Sequence, residues 1–473
     1  MASELVNEFV RLLNNSIDVQ NGEVQVTKPE VFKSKVSLLA EISALESGTR
    51  QGMARFLVRS AARDLGTAPA SINDLYMARG KGQVPFNFTV PAMNLRVLSF
   101  DAARAVFRTA MKMDAASIIF EIARSEMNYT DQKPTEYATS ILAAAIAEGY
   151  TGPVFIQGDH FQASAKKYFA NPQGEIESLE SLIDEAIAAG FLNIDVDTST
   201  LVDLEQKTVP AQQKNNIDVS ALLTAYIRKV EPQGVAISVG GEIGEVGGHN
   251  STEEELCAYL SGYREALNKL APGATGLSKI SIQTGTSHGG VVLPDGSIAK
   301  VTVDFNTLRH LSRVARDQFG LGGAVQHGAS TLPEDAFGKF VESEACEVHL
   351  ATNFMNIFYD HIPSDFREEI YAYLREKNAS EHKPDMTDEQ FYYKTRKSAI
   401  GPFKARSWRL PSAIKTEIVK AWEDQFNQLF NHLGLRGTRA YVESFVKIPD
   451  IKPNLKDYLG DSSETGDVSD LAD

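Results

Sequence analysis

From Phe86 onward, short apolar runs alternate with amphipathic stretches. The runs are Phe88-Thr89-Val90, Ile118 to Ile122, Val154 to Ile156, Leu192 to Val196, Val235 to Val239, Ile280 to Ile282, Ala324 to Gln326 and Val348 to Leu350. Between them, helical periodicity covers Ala102 to Met113, Glu136 to Glu148, Ile176 to Ala189, Ser220 to Val230, Glu253 to Leu270, Leu308 to Phe319 and Glu334 to Glu342. Short buried-type strands each followed by a longer helix predict a parallel sheet with helices outside it. Eight strands over this length match a (β/α)8 TIM barrel. A doubly wound sheet would open with a glycine fingerprint after its first strand, and Val90-Pro91-Ala92-Met93-Asn94 has none.

Residues 3–15 and about 28–63 show helical spacing of apolar residues, which predicts an all-helical N-terminal extension, 1–84, ending in Gly80-Lys81-Gly82-Gln83. The barrel is expected over 85–360 and a helical segment over 361–452. There, Ile418, Trp422, Phe426 and Phe430 share one face of a docking helix. The acidic stretch 453–473 is expected as a disordered tail. The formal charge of -15 over 473 residues excludes a dedicated nucleic-acid or anionic-membrane binder. Two cysteines, Cys257 and Cys346, give no disulfide framework, and no apolar run approaches the roughly 20 residues of a membrane span. A soluble cytoplasmic protein is the expectation.

The strand ends carry the chemistry. Val154 to Gln157 runs out into Gly158-Asp159-His160. Later strands lead likewise to Asp195 and Asp197, to Glu242, to His288 and to His327. In a barrel these ends converge on one face. Any one of these histidines alone is explained by an ordinary hydrogen bond. As a set, His160, His288 and His327 suit zinc with an open position for substrate. Asp159, beside a ligand, can exchange a proton with a substrate hydroxyl, and Glu242 and Asp197 can serve as further oxygen ligands or outer partners. The small residues of Thr286-Ser287-His288-Gly289-Gly290 and His327-Gly328-Ala329-Ser330 let backbone N–H groups approach an anion.

Taken together, Val90 to Asn94, Gly158-Asp159-His160, Asp197-Thr198-Ser199, Gly241-Glu242-Ile243-Gly244, Thr286-Ser287-His288-Gly289, His327-Gly328-Ala329-Ser330 and Ala351-Thr352 resemble the class II, zinc-dependent ketose-bisphosphate aldolases. The resemblance spans about Val90 to Thr352. It implies a Zn2+ held by His160, His288 and His327, with Asp197 and Glu242 as alternate or second-cation ligands, divalent or monovalent. It further implies that Asp159 is catalytic, that Gly289, Gly328, Ser330 and Thr352 hold the phosphate of a dihydroxyacetone phosphate half, and that Asn94 and His349 stand near the substrate. A homo-oligomer is the family habit.

The sequence departs from the family at four places. Gln157-Gly158 replaces a His-x pair, Ala329 a glycine and His349 an asparagine, and Asn250 stands about where the family carries the glutamate that moves the carbon-bound proton, leaving that role unassigned. Glu253 to Glu255 read instead as a helix start capped by Thr252. Two other readings follow: a non-catalytic stabilising barrel subunit of a tagatose-bisphosphate aldolase complex, and a metal-dependent sugar-phosphate epimerase or isomerase. Lys394, Arg396, Lys397, Lys404 and Arg406 are the candidate cations for a second phosphate.

Overall fold

The computed structural model describes residues 2–244, 249–285, 293, 303–330 and 332–459. Eight parallel strands close on themselves: β4 (Val90–Asn94), β5 (Ile119–Ala123), β6 (Gly152–Gln162), β7 (Asn193–Asp197), β8 (Ser238–Glu242), β9 (Lys279–Ile282), β10 (Ala324–Gln326) and β11 (Glu347–Leu350), the last pairing back to β4. Every residue of β4, β5, β7, β8, β9, β10 and β11 is buried, as helices on the outer face require. The outer helices include Ser99–Lys112, Pro134–Glu148, Pro172–Ala189, Lys214–Val230, Glu253–Leu270, Phe305–Asp317 and Thr352–His361. This is the (β/α)8 TIM barrel that the apolar runs predict.

The N-terminal extension is not all helical. After the helix Ala2–Leu12 the chain forms an antiparallel hairpin of β1 (Ile17–Gln20) and β2 (Glu23–Val26). Asn21 and Gly22 take the positive φ of its two-residue turn. The expected helix over 28–63 is two helices, Pro29–Leu45 and Gly48–Asp64, with Gly48 at φ +68° at the break. A short strand, β3 (Thr67–Pro69), then pairs in parallel with the start of β6.

The helix Asn73–Gly80 closes the end of the barrel where the strands begin. Its Tyr76 hydroxyl donates to the Glu347 carboxylate on β11. Arg79, almost wholly buried, donates to the carbonyls of Phe88 and Ala345.

The C-terminal helix Ser412–His432 buries Ile418, Trp422, Phe426, Leu429 and Phe430, and the Trp422 indole N–H donates to the Phe354 carbonyl at 2.9 Å. Lys404 reaches both oxygens of Glu136 at 3.1 Å. Of the segment expected as a tail, the short helix Leu455–Tyr458 lies on Gly48–Asp64 so closely that a Cβ at Gly52 would come within 1.8 Å of the Tyr458 carbonyl oxygen. Residues 460–473 lie outside the described residues. Among the described residues, no helix is long and apolar enough to cross a membrane.

Two outcomes follow from this packing. Trp422→Ala removes a fully buried side chain and its hydrogen bond, and should cost about 3–5 kcal/mol in denaturant unfolding. Burial pushes the Glu136 carboxyl up to about 7 from its ordinary 4.5, although Lys404 and Arg55 pull it back. A raised folded-state value means that the folded chain holds the proton more tightly than the unfolded one. This group's contribution to stability is therefore present below pH 4.5 and lost as pH rises through about 7. Urea midpoints of wild type and Glu136→Gln, compared across that range, should show the wild type losing more stability as pH rises.

Candidate active site

The site is built where β6 stops being regular. The pairing of β6 with β7 shifts register between Gly158 and Phe161, a bulge of the kind that re-aims side chains. Gly158 permits it: a Cβ there would lie 2.3 Å from the Phe161 ring, and His160 sits at φ +38°, in the left-handed region. The bulge turns Asp159 and His160, both buried, toward the strand ends of the neighbouring strands.

His160 and His327 then face one another. His160 Nε2 lies 2.6 Å from His327 Nδ1. Their outer nitrogens are anchored: His160 Nδ1 is 2.9 Å from Asp197 Oδ2 and His327 Nε2 is 3.0 Å from Ser281 Oγ. Imidazoles pinned at the outer nitrogen, with the inner nitrogens converging, are the arrangement of metal-ligating histidines. Glu242, at the end of β8, brings Oε2 to 3.4 Å of His160 Nδ1 and accepts from the Gln283 amide at 3.2 Å. One ligand atom each from His160, Glu242 and His327 falls within 4.8 Å of the others, as does one each from Asp159, Asp195, His327 and His349. Buried imidazole nitrogens with carboxylate oxygens form a donor set that fits a divalent ion such as zinc.

The carboxylates differ in character. Burial alone would raise Asp197, but hydrogen bonds with His160, Ser199 and Gln162 hold it below the usual range. Glu242 is pushed well up, by burial first and then by Asp197.

The other expected site residues fall as follows. His288 and Gly289 lie outside the described residues. Gly328, at φ +68°, and Ser330 follow β10, and the Ser330 hydroxyl accepts from the Ala351 N–H directly before Thr352, the first residue of Thr352–His361. Asn94 closes β4 and spends its amide on Glu126 and Arg96. His349 is sandwiched. Its ring stacks on His327 at 4.0 Å between centroids, its Nδ1 lies 3.2 Å from Asp159 Oδ1, and its Nε2 lies 2.7 Å from Glu347 Oε1.

Glu255 and Thr252 form the expected reciprocal cap, and exposed Asn250 faces Asp304 at 3.5 Å. Of the candidate cations, Lys404 is committed to Glu136, Lys394 lies 3.5 Å from Glu381, and Arg396 and Arg406 lie over the rings of Tyr393 and Phe366. Lys397 sits over the Tyr129 ring, its amine lowered to about 8 by burial and by neighbouring Arg96. The interior charges Glu121, Lys279 and Glu347 were not anticipated. Their signal is present, a charged residue within or directly before a short apolar run, as in Ile118-Ile119-Phe120-Glu121-Ile122.

The histidines and carboxylates gathered at these strand ends form groups that could hold a metal ion in a barrel. The family model described as "Fructose-bisphosphate aldolase class-II" matches residues 86–409, and the chain belongs to that family, one of carbon–carbon lyases acting by aldol cleavage. No curated protein matches the chain. Among solved structures, a protein described as a probable tagatose 6 phosphate kinase from Sinorhizobium meliloti matches at TM-score 0.53 and 15% identity, over 75% of this chain and 98% of that one. The fructose-bisphosphate aldolase of Campylobacter jejuni matches at TM-score 0.46 and 16% identity, over 79% and 96%. The YdjI aldolase of Escherichia coli K12 matches at TM-score 0.46 and 12% identity, over 78% and 99%.

If the outer nitrogens are what aim the two imidazoles, Ser281→Ala should weaken divalent-metal binding about tenfold or more. A competition titration against a chromophoric chelator measures it, with thermal unfolding as the check on folding.

Proposed function

We propose that this chain is a zinc-dependent aldolase that cleaves a phosphorylated ketose to dihydroxyacetone phosphate and an aldehyde, and joins them in reverse. The observation that carries the reading is the facing pair His160 and His327, outer nitrogens pinned, with the Asp159 carboxyl beside them. His160, His327 and His288 would hold zinc, with Glu242 and Asp197 as alternate ligands. When bound, zinc supplies a Lewis acid for the ketone whose neighbouring carbon–carbon bond opens. Asp159 exchanges a proton with the hydroxyl on the far side of that bond. Ser330, Gly328, Gly289 and Thr352 take the phosphate, the last from the first turn of its helix. Burial keeps the reacting groups away from bulk water, which strengthens each of these interactions.

Asn250 favours one other reading. It carries no carboxylate where the family moves a carbon-bound proton, as suits a stabilising barrel subunit that is inactive alone. Purified protein assayed over a panel of ketose phosphates separates the cases. The aldolase releases triose phosphate unaided and is inhibited by chelator, a helper subunit releases it only with its partner, and an isomerase returns a product of unchanged mass. His327→Ala should lower turnover roughly a thousandfold and reduce bound metal per chain. Undiminished metal content in that variant would remove His327 from the ligand set.

A further inference from the structure

Below the strand ends, the barrel interior holds charged groups that the proposed reaction does not touch. β9 begins with Lys279 and β11 with Glu347, in the layer nearest the helix that closes the barrel. The Lys279 ammonium donates across the interior to Gln157 Oε1 at 2.7 Å, lies 2.9 Å from Asp195 Oδ1, and donates to Glu347 Oε1. Three donors thus meet three acceptors, so the ammonium is saturated. Glu347 is held on both oxygens, Oε2 by the Tyr76 hydroxyl and Oε1 by Lys279 and by His349 Nε2. The other nitrogen of His349, Nδ1, meets Asp159 Oδ1 at 3.2 Å and Glu121 Oε2 at 3.0 Å.

An unbroken series of polar contacts therefore runs from Tyr76 and Lys279 up through Glu347 and His349 to the carboxyl assigned to proton exchange. A barrel interior is ordinarily filled by branched apolar side chains, and a buried ion pair is often no more stabilising than an apolar replacement of the same volume. Stability alone thus does not account for a lysine and four carboxylates, Glu121, Asp159, Asp195 and Glu347, all almost wholly buried here. What the series does achieve is immobility. With Nε2 on Glu347 and one face stacked on His327, the His349 ring is held in place, and its Nδ1 stands within ion-pair distance of Asp159 Oδ1, without a hydrogen bond between them.

We propose that Lys279 and Glu347 are positioning residues that, acting through His349, hold the Asp159 carboxyl in the orientation that proton exchange requires. The proposal rests on the aldol reading of Asp159. Lys279 is not itself a nucleophile. Burial would lower its pKa, but Asp195 and Glu347 hold it protonated, well above the ordinary lysine range.

The test is a double-mutant cycle on the full-length, metal-loaded chain. Glu347→Gln, which keeps the shape, is expected to lower kcat about tenfold or more, to change KM less than about twofold, and to leave bound metal per chain unaltered. In a His349→Asn background the same substitution should cause no further loss. Tyr76→Phe removes a single hydroxyl from the far end and should lower kcat in the same sense by a smaller factor. It supplies the measurement if Glu347→Gln does not fold. Independent, additive losses, or an effect confined to KM, would overturn the proposal.

The side-chain 15N resonances of His349 report on the same linkage without turnover. They are expected to move in Glu347→Gln, and unchanged resonances overturn the linkage even in a protein that cleaves ketose phosphates normally. Wild type that releases no triose phosphate while those resonances do move would instead remove the aldol assignment.

Discussion

The approach of two ring nitrogens, one from a bulge in β6 and one from the end of β10, is the constraint on which the molecule depends. His160 and His327 stand 167 positions apart in sequence, and only closure of the sheet brings them together. At 2.6 Å the two inner nitrogens are in hydrogen-bond contact and share one proton. Everything nearby works to keep that spacing: Asp197 and Ser281 on the outer nitrogens, the glycine that admits the Phe161 ring, and the left-handed backbone at His160. Strain of this kind persists where the surroundings over-determine it, and it concentrates at working sites.

The barrel was legible because its strands, covered on both faces, read as uninterrupted apolar runs, and because each run is followed by a helix of ordinary length. The convergence of strand ends was legible for the same reason: closure fixes which end of every strand lies on which face. What escaped was local or interior. The Asn21-Gly22 turn between Ile17-Asp18-Val19 and Val24-Gln25-Val26 is a strong hairpin signal, but the stretch lies between two clearly helical ones and was absorbed into them. Glu121, Lys279 and Glu347 looked like isolated charges because their partners lie on strands distant in sequence. A bulge depends on register with a neighbouring strand, which no single segment encodes.

The interior of this barrel is unusual in what fills it. Gly240 shows the geometric side of this, since a Cβ there would lie 2.2 Å from an Asp195 oxygen and 2.8 Å from Lys279 Cε. The strand has given up its own side chain so that two charged ones from β7 and β9 can meet. Such an arrangement fixes partners one by one, where an apolar core would tolerate repacking. It suits a layer lying directly beneath groups whose orientation matters.

The last described helix, Leu455–Tyr458, rests on the third helix of the chain, and the Tyr458 ring lies edge-on to Phe56. Segments about four hundred residues apart are thus neighbours, lashed around the outside of the cylinder like the two ends of a belt. During synthesis the early helices must wait, one flank bare, until the segment roughly four hundred residues further along has emerged to cover it.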